Sequence, residues 1–295
     1  MSLPPPPQST PPPKTIYLIR HGVAKHNLPD PITGERPDIA NDASLTDPPL
    51  VRQGILQAQV LGQNLKRCGI ANAVELVICS PLTRCIQTAR FAFPDHFIEK
   101  SQNAMDDALD EPQDKPGVVL GRNCRVFCHE GVREAFGMHY PDKRRYLIRL
   151  LQLYLAAFLV LSIETRDELN NFVSCVYGFL SSLSHLKAAH PNVQFHPNMT
   201  ENDDAWSPNT RESYNDVAVR VHNFFLWLSR QPQNCIAVVS HGVWMECALM
   251  EYFPEVLNNG GKRVYNCDVY AGTMCRGGDG GIVVKDVKQI TMYHS

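Results

Sequence analysis

The chain has 295 residues, 44% of them apolar, 8% aromatic and 20% charged, with a formal net charge of −2. That apolar fraction sustains a sizeable core and excludes wholesale disorder. The near-neutral balance, without a long basic run, excludes a polyanion-binding face over the whole molecule, and with it a nucleic-acid partner, but leaves room for a local anion pocket.

Residues 1–14, MSLPPPPQSTPPPK, hold almost nothing that packs and read as a disordered or polyproline II tail. Such a tail could dock on an SH3 or WW domain, an inert extension being the plainer reading. It has no apolar h-region and so does not read as a secretory signal. Ten scattered cysteines with no C-x-x-C read as reduced, buried thiols of a cytoplasmic protein. From residue 15 onward short apolar runs alternate with helical patterns. Thr15–Ile19 reads as a buried strand, Gly54–Arg67 as a helix and Glu75–Cys79 as a second strand. Leu82–Phe93 follows as a helix entered through Ser80-Pro81, with Ser80 in the cap position. Residues 94–121 are polar and acidic, a surface excursion. Cys124–Cys128 is a third strand, Ser213–Ser229 an amphipathic helix and Cys235–Val239 a fourth strand. Trp244–Phe253 is a helix, and Gly281–Val287 a last strand. This alternation predicts an α/β fold, a mostly parallel central sheet with helices on both faces.

One stretch stands apart. Tyr146–Ile163, YLIRLLQLYLAAFLVLSI, is apolar almost all round, but its uninterrupted core is too short to span a bilayer. A buried helix is the simplest reading, and no membrane partner is expected.

Four polar clusters follow strands directly: Arg20-His21-Gly22, Ser80-Pro81-Leu82-Thr83-Arg84, Glu130–Glu134 and Ser240-His241-Gly242. In open α/β sheets ligands bind beyond the carboxyl ends of the strands, so His21 and His241 are expected to converge on one crevice. Two histidines, two arginines, an acid and nearby helix N-termini suit a phosphate: guanidinium forks match its oxygens, and a neutral imidazole attacks phosphorus. Taken singly, each residue has a structural explanation, a hydrogen-bonded strand-end histidine or a surface ion pair. Spacing alone reaches an anion site at a sheet edge.

LIRHGVAKHN (Leu18–Asn27), CSPLTRCIQTA (Cys79–Ala89), Glu134 in VREAFG and VVSHG (Val238–Gly242) resemble the histidine phosphatase superfamily, with the phosphoglycerate mutase-like fold. His26-Asn27 and GMHYPDKRR (Gly137–Arg145) resemble its mutase-like branch common in plants and fungi. The resemblance covers roughly residues 15–147 and 183–290. It implies a single domain over 15–295 that hydrolyses a small phosphorylated substrate through a phosphohistidine on His21. Arg20, Arg84 and His241 would clamp the phosphoryl oxygens, Asn27 would line the pocket, and Glu134 would protonate the leaving oxygen and then activate water. No metal or other cofactor is implied, since phosphoryl transfer asks mostly for positioning and charge stabilisation. The alternatives are a phosphomutase and a low-turnover regulatory protein that binds phosphorylated ligands. The segment that cofactor-dependent glycolytic mutases show around their acid has no counterpart here. Lys143, Arg144 and Arg145 either bind an anionic part of the substrate or form a solvated helix start; His185, His190 and His196 read as loop histidines. Residues from about 148 to 182 match nothing in the family and read as a lineage-specific insertion or a translated intron.

Overall fold

A computed structural model describes residues 12–98, 119–144, 183–257, 263–278 and 280–290. The segment from about 148 to 182 and most of the proline-rich tail lie outside the described residues. Among the described residues seven strands form one sheet: β1 (Lys14–Arg20), β2 (Leu76–Cys79), β3 (Val126–Cys128), β4 (Gln194–Phe195), β5 (Cys235–Ser240), β6 (Val269–Arg276) and β7 (Ile282–Ile290). Their order is β4-β3-β2-β5-β1-β6-β7. The pairs from β4 through β1 are parallel, while β6 lies antiparallel to β1 and β7 antiparallel to β6. The mostly parallel α/β sheet read from the sequence is therefore correct, with an antiparallel hairpin added at one edge.

The central strands are apolar on both sides because helices cover both faces. Successive residues of a strand point to opposite faces, and the packing shows this alternation. Leu76, Ile78, Ile236 and Val238 join one apolar cluster, in which α4 (Tyr214–Ser229) contributes Val217, Val221, Phe224 and Leu228, and α5 (Gly242–Tyr252) contributes Trp244 and Leu249. Val77, Cys79, Ala237 and Val239 join the other, with Leu61 and Leu65 of α1 (Arg52–Arg67) and Ile86 and Ala89 of α2 (Thr83–Ala92). Each such fully buried large side chain is worth roughly 1.5–3 kcal/mol. A shorter helix, α3 (Leu183–Ala189), adds Leu186 to the second cluster.

Three details differ from expectation. Strand β1 starts at Lys14, whose ammonium is buried and donates to the carbonyls of Gln231 and Gln233, so the tail ends before it. Helix α2 begins at Thr83, not at Leu82, and Ser80 does not cap it. Asp47 does so instead, accepting from the Thr83 N–H at 2.8 Å and the Thr83 hydroxyl at 2.7 Å, while the Ser80 hydroxyl bonds His241 at 2.7 Å and accepts the Leu82 N–H, ahead of the helix, at 3.3 Å. Strands β4 and β6 were not foreseen. Among the described residues no disulfide joins the cysteines, and no helix is long and apolar enough to cross a membrane.

Candidate active site

The carboxyl ends of β1, β2, β3 and β5 lie side by side, and the four polar clusters leave from them. The backbone after β1 turns under close constraint. A Cβ on Gly22 would stand 2.6 Å from the Gly54 carbonyl oxygen, and one on Gly54 would stand 2.0 Å from that of Val23. Only glycine at both positions lets the start of α1 press against this loop. The Gly22 N–H donates to the Thr88 hydroxyl at 3.0 Å, which fixes the loop to α2 as well. Asn266 donates its amide to the His21 carbonyl oxygen at 2.8 Å.

His21 is buried, with Nδ1 2.7 Å from the Gly22 carbonyl oxygen. A carbonyl only accepts, so Nδ1 carries the hydrogen and Nε2 keeps its lone pair. Consistent with that tautomer, Arg84 donates Nε–H to His21 Nε2 at 3.3 Å. Burial, reinforced by the Arg84 and Arg20 guanidiniums and by His26, holds the His21 pKa well below the usual imidazole range, so the ring is neutral. That is the state a nucleophile requires.

Arg84 is almost wholly buried and held on three sides: Nε on His21, Nη1 on the Pro141 carbonyl at 2.6 Å and Nη2 on Asp142 Oδ1 at 3.0 Å. Arg20 donates Nη1 to the Val264 carbonyl and lies under the first residue of α5, where a Gly242 Cβ would come within 3.6 Å of its guanidinium carbon. His241 presents its ring edge-on to His21 at a centroid distance of 5.2 Å, and its Nε2 is 2.7 Å from the Ser80 hydroxyl. Burial, then Arg84 and His21, keep it neutral too.

Glu134 is partly buried. Its carboxylate accepts from its neighbour Ala135 at 3.1 Å and from the first-turn N–H groups of Val243 at 3.2 Å and Trp244 at 3.3 Å. Burial pushes its pKa up, and the nearby Asp142 charge adds to that; the Val243 N–H and Arg84 pull the other way. Its field reaches Arg20 and Arg84, the same arginines that surround His21. Of the charged residues close to it in sequence, Arg133 is bound to Asp203 and Glu130, and Lys143 lies 4.0 Å over the Trp206 ring.

The structure thus gathers His21, Arg20, Arg84, His241 and Glu134 at one sheet end. Asn27 is used locally, its Oδ1 accepting the Ala24 N–H at 3.0 Å. From the His26-Asn27 pair it is His26 that faces His21, with ring centroids 5.9 Å apart. Arg144 is neither a solvated residue nor an open anion site. It is buried, donates its backbone N–H to Asp203 and its guanidinium to the carbonyls of Thr200 and Asn202, and stands 3.4 Å from Glu130. Arg145 lies outside the described residues. Asp142 was missed by sequence reasoning, because its ion pair with Arg84 joins segments 58 residues apart and leaves no local signature. Among the described residues no group of three or more histidine, cysteine, aspartate or glutamate side chains could hold a metal ion.

The family model of the histidine phosphatase superfamily (branch 1) matches residues 16–112 and 154–285. The chain belongs to this superfamily. Among curated relatives, phosphoglycerate mutase-like protein 2 of Arabidopsis thaliana is 28% identical over 267 residues, spanning 87% of this chain and 72% of the relative. The phosphoglycerate mutase-like protein of the same plant is 28% identical over 245 residues, 81% of this chain and 74% of the relative. Among solved structures, a phosphoserine phosphatase from Entamoeba histolytica in complex with phosphoserine superposes with a TM-score of 0.42 at 18% identity, covering 95% of this chain and 98% of that one. In this chain, Arg20, His21, Asn27 and Arg84 fall in the first matched block and His241 in the second. Glu134 falls between the blocks, so its place in the site rests on geometry. The second block takes in most of the segment from about 148 to 182 that the motifs alone set apart.

Proposed function

We propose that this histidine phosphatase hydrolyses a small phosphomonoester in two steps through a phosphohistidine on His21. The Nε2 lone pair attacks phosphorus and the P–O ester bond breaks, the leaving oxygen taking a proton from Glu134. A water then attacks the phosphorus of the phosphohistidine, gives its proton to the Glu134 carboxylate and releases phosphate, restoring neutral His21. Arriving phosphoryl oxygens take over the Arg84 Nε–H from His21, and Arg20 and His241 serve the remaining oxygens. The observation that carries this reading is the buried imidazole with Nδ1 tied to Gly22 and Nε2 aimed at a guanidinium. A histidine kept only for structure has no need of a lone pair directed at an anion-binding group.

The phosphatase is tested by rapid-quench trapping with labelled p-nitrophenyl phosphate, without added metal. Wild type is expected to carry acid-labile phosphate and release nitrophenol, and His21→Ala to fold but do neither. Labelling that persists in His21→Ala overturns the assignment of the nucleophile. Isomerisation of a phosphoglycerate without release of phosphate would replace the hydrolase with a mutase, and tight phosphate-ester binding without turnover would replace both with a ligand-binding role.

A further inference from the structure

Asp142 is buried in a short turn after Tyr140, with its carboxylate divided between two arginines. Oδ1 accepts from Arg84 Nη2 at 3.0 Å, and Oδ2 accepts from Arg211 Nη1 at 3.2 Å. Those arginines serve different halves of the site. Arg84 touches His21. Arg211 also donates to the carbonyls of Ala135 and Gly137, gripping the loop that carries Glu134. The backbone here is equally fixed: Arg133 donates Nη2 to the Asp142 carbonyl, and Arg84 donates Nη1 to that of Pro141.

We propose that Asp142 is a positioning residue for phosphoryl transfer, holding the Arg84 guanidinium against His21 Nε2 and tying it, through Arg211, to the loop that bears Glu134. This role rests on the two-step reaction proposed above. A guanidinium has five N–H donors, and Arg84 spends three on His21, Pro141 and Asp142. Asp142 and Pro141 therefore set which edge of Arg84 is offered to the substrate. An arginine free to rotate would present its charge but not its fork.

The same carboxylate acts on the acid. Its charge opposes ionisation of Glu134, which also faces Arg84 and Arg20, Cys85 from α2, Tyr214 from α4 and Cys247 from α5. Of these neighbours, Asp142 is the other carboxylate. Around Asp142 itself stand Arg84, Arg211 and, at 3.8 Å, His139. Removing the Asp142 charge lets Glu134 lose its proton at lower pH, so a step that needs the protonated acid must fail earlier as pH rises.

The test measures single-turnover phosphorylation of His21 between about pH 5 and 9, with glycerol 3-phosphate and with p-nitrophenyl phosphate. Asp142→Asn keeps an oxygen for Arg84 and loses the charge. With glycerol 3-phosphate its alkaline limb is expected to move to lower pH by about one unit. With p-nitrophenyl phosphate, whose leaving group needs no proton, the limb should stay in place. A glycerol 3-phosphate profile that overlays wild type overturns the proposal. Asp142→Glu keeps the charge but displaces it, and so covers the case in which the amide variant does not fold. It should retain the wild-type limb and phosphorylate about 10- to 100-fold more slowly on both substrates; an unchanged rate overturns the positioning role. Wild type that never labels His21 defeats the two-step reaction itself, whereas labelled wild type with an unmoved Asp142→Asn profile defeats only the role of Asp142.

Discussion

Glu134→Gln separates a general acid from a structural carboxylate. The carboxylate accepts three N–H groups, Oε1 those of Ala135 and Trp244 and Oε2 that of Val243. The amide keeps one accepting oxygen and turns an NH₂ towards a donor, leaving one N–H of the first turn of α5 without an acceptor. That costs about 1–3 kcal/mol of stability. A chain of this size loses about 2–4 °C in Tm per kcal/mol, so the variant should melt several degrees lower yet remain folded at room temperature. Loss of a general acid costs roughly 10²–10⁴-fold, or about 2.7–5.4 kcal/mol of barrier, when the leaving group is an alkoxide. Nitrophenolate leaves without a proton, so its departure should be spared. Rapid-quench measurements should therefore show first-turnover phosphorylation from glycerol 3-phosphate falling by at least a hundredfold, with the nitrophenol burst nearly intact. Hydrolysis of the phosphohistidine, which needs the carboxylate as base, should slow, and phosphoenzyme should accumulate. Equal, small losses on both substrates would refute the argument and return Glu134 to the role of a helix cap.

Other consequences follow from the buried charges. Burial keeps His21, His26, His129 and His241 well below the usual imidazole pKa in the fold. The unfolded chain then binds more protons below about pH 6.5, and stability should fall with acid by about 1.4 kcal/mol per pH unit for each such histidine. Glu134 and Asp268, both shifted upward by burial, act with the opposite sign but are two groups against four. Urea midpoints from pH 8 down to 5 check this, and a flat profile rejects it. Asp203 binds Arg133 through both oxygens at 2.6 and 2.8 Å and accepts the Arg144 N–H at 2.7 Å. Asp203→Ala should therefore destabilise by about 3–5 kcal/mol, since it strands a buried guanidinium; equilibrium unfolding that shows under 1 kcal/mol would mean that Glu130 suffices for Arg133.

What the sequence made legible was what depends on neighbours along the chain. The runs TIYLI, ELVIC and CIAVV are continuous because strands covered on both faces have no polar side to show, and the chemistry-bearing residues follow them directly. Strand β6 was missed because its apolar run is broken by Gly272. That glycine is there for packing: a Cβ would stand 2.7 Å from Val284 Cγ1 on β7. The cap of α2 was assigned to Ser80 by local rules. The fold gives Ser80 to His241 and brings Asp47 from 36 residues away. Arg144 read as either an anion contact or a solvated helix start for the same reason: its partners lie across the chain, and a charge pattern read along the sequence cannot see them.

The ends of the sheet bear on how the molecule behaves in a crowd. A parallel sheet stops at unpaired backbone groups, and an open edge is a template for another chain. Among the described residues one edge, β4, is two residues long. The other, β7, reads IVVKDVKQI, and within it Asp286 and Val287 face the single residue Gly272, with Asp286 at φ 55°. That bulge kinks the outer strand, while Lys285, Asp286 and Lys288 line it with charge. A second copy approaching in register would meet a short stub on one side and a bent, charged ribbon on the other. The hairpin that caps β1 therefore closes off sheet-to-sheet growth, on the opposite side of the molecule's central strand from the helix-lined crevice ends of β2 and β3.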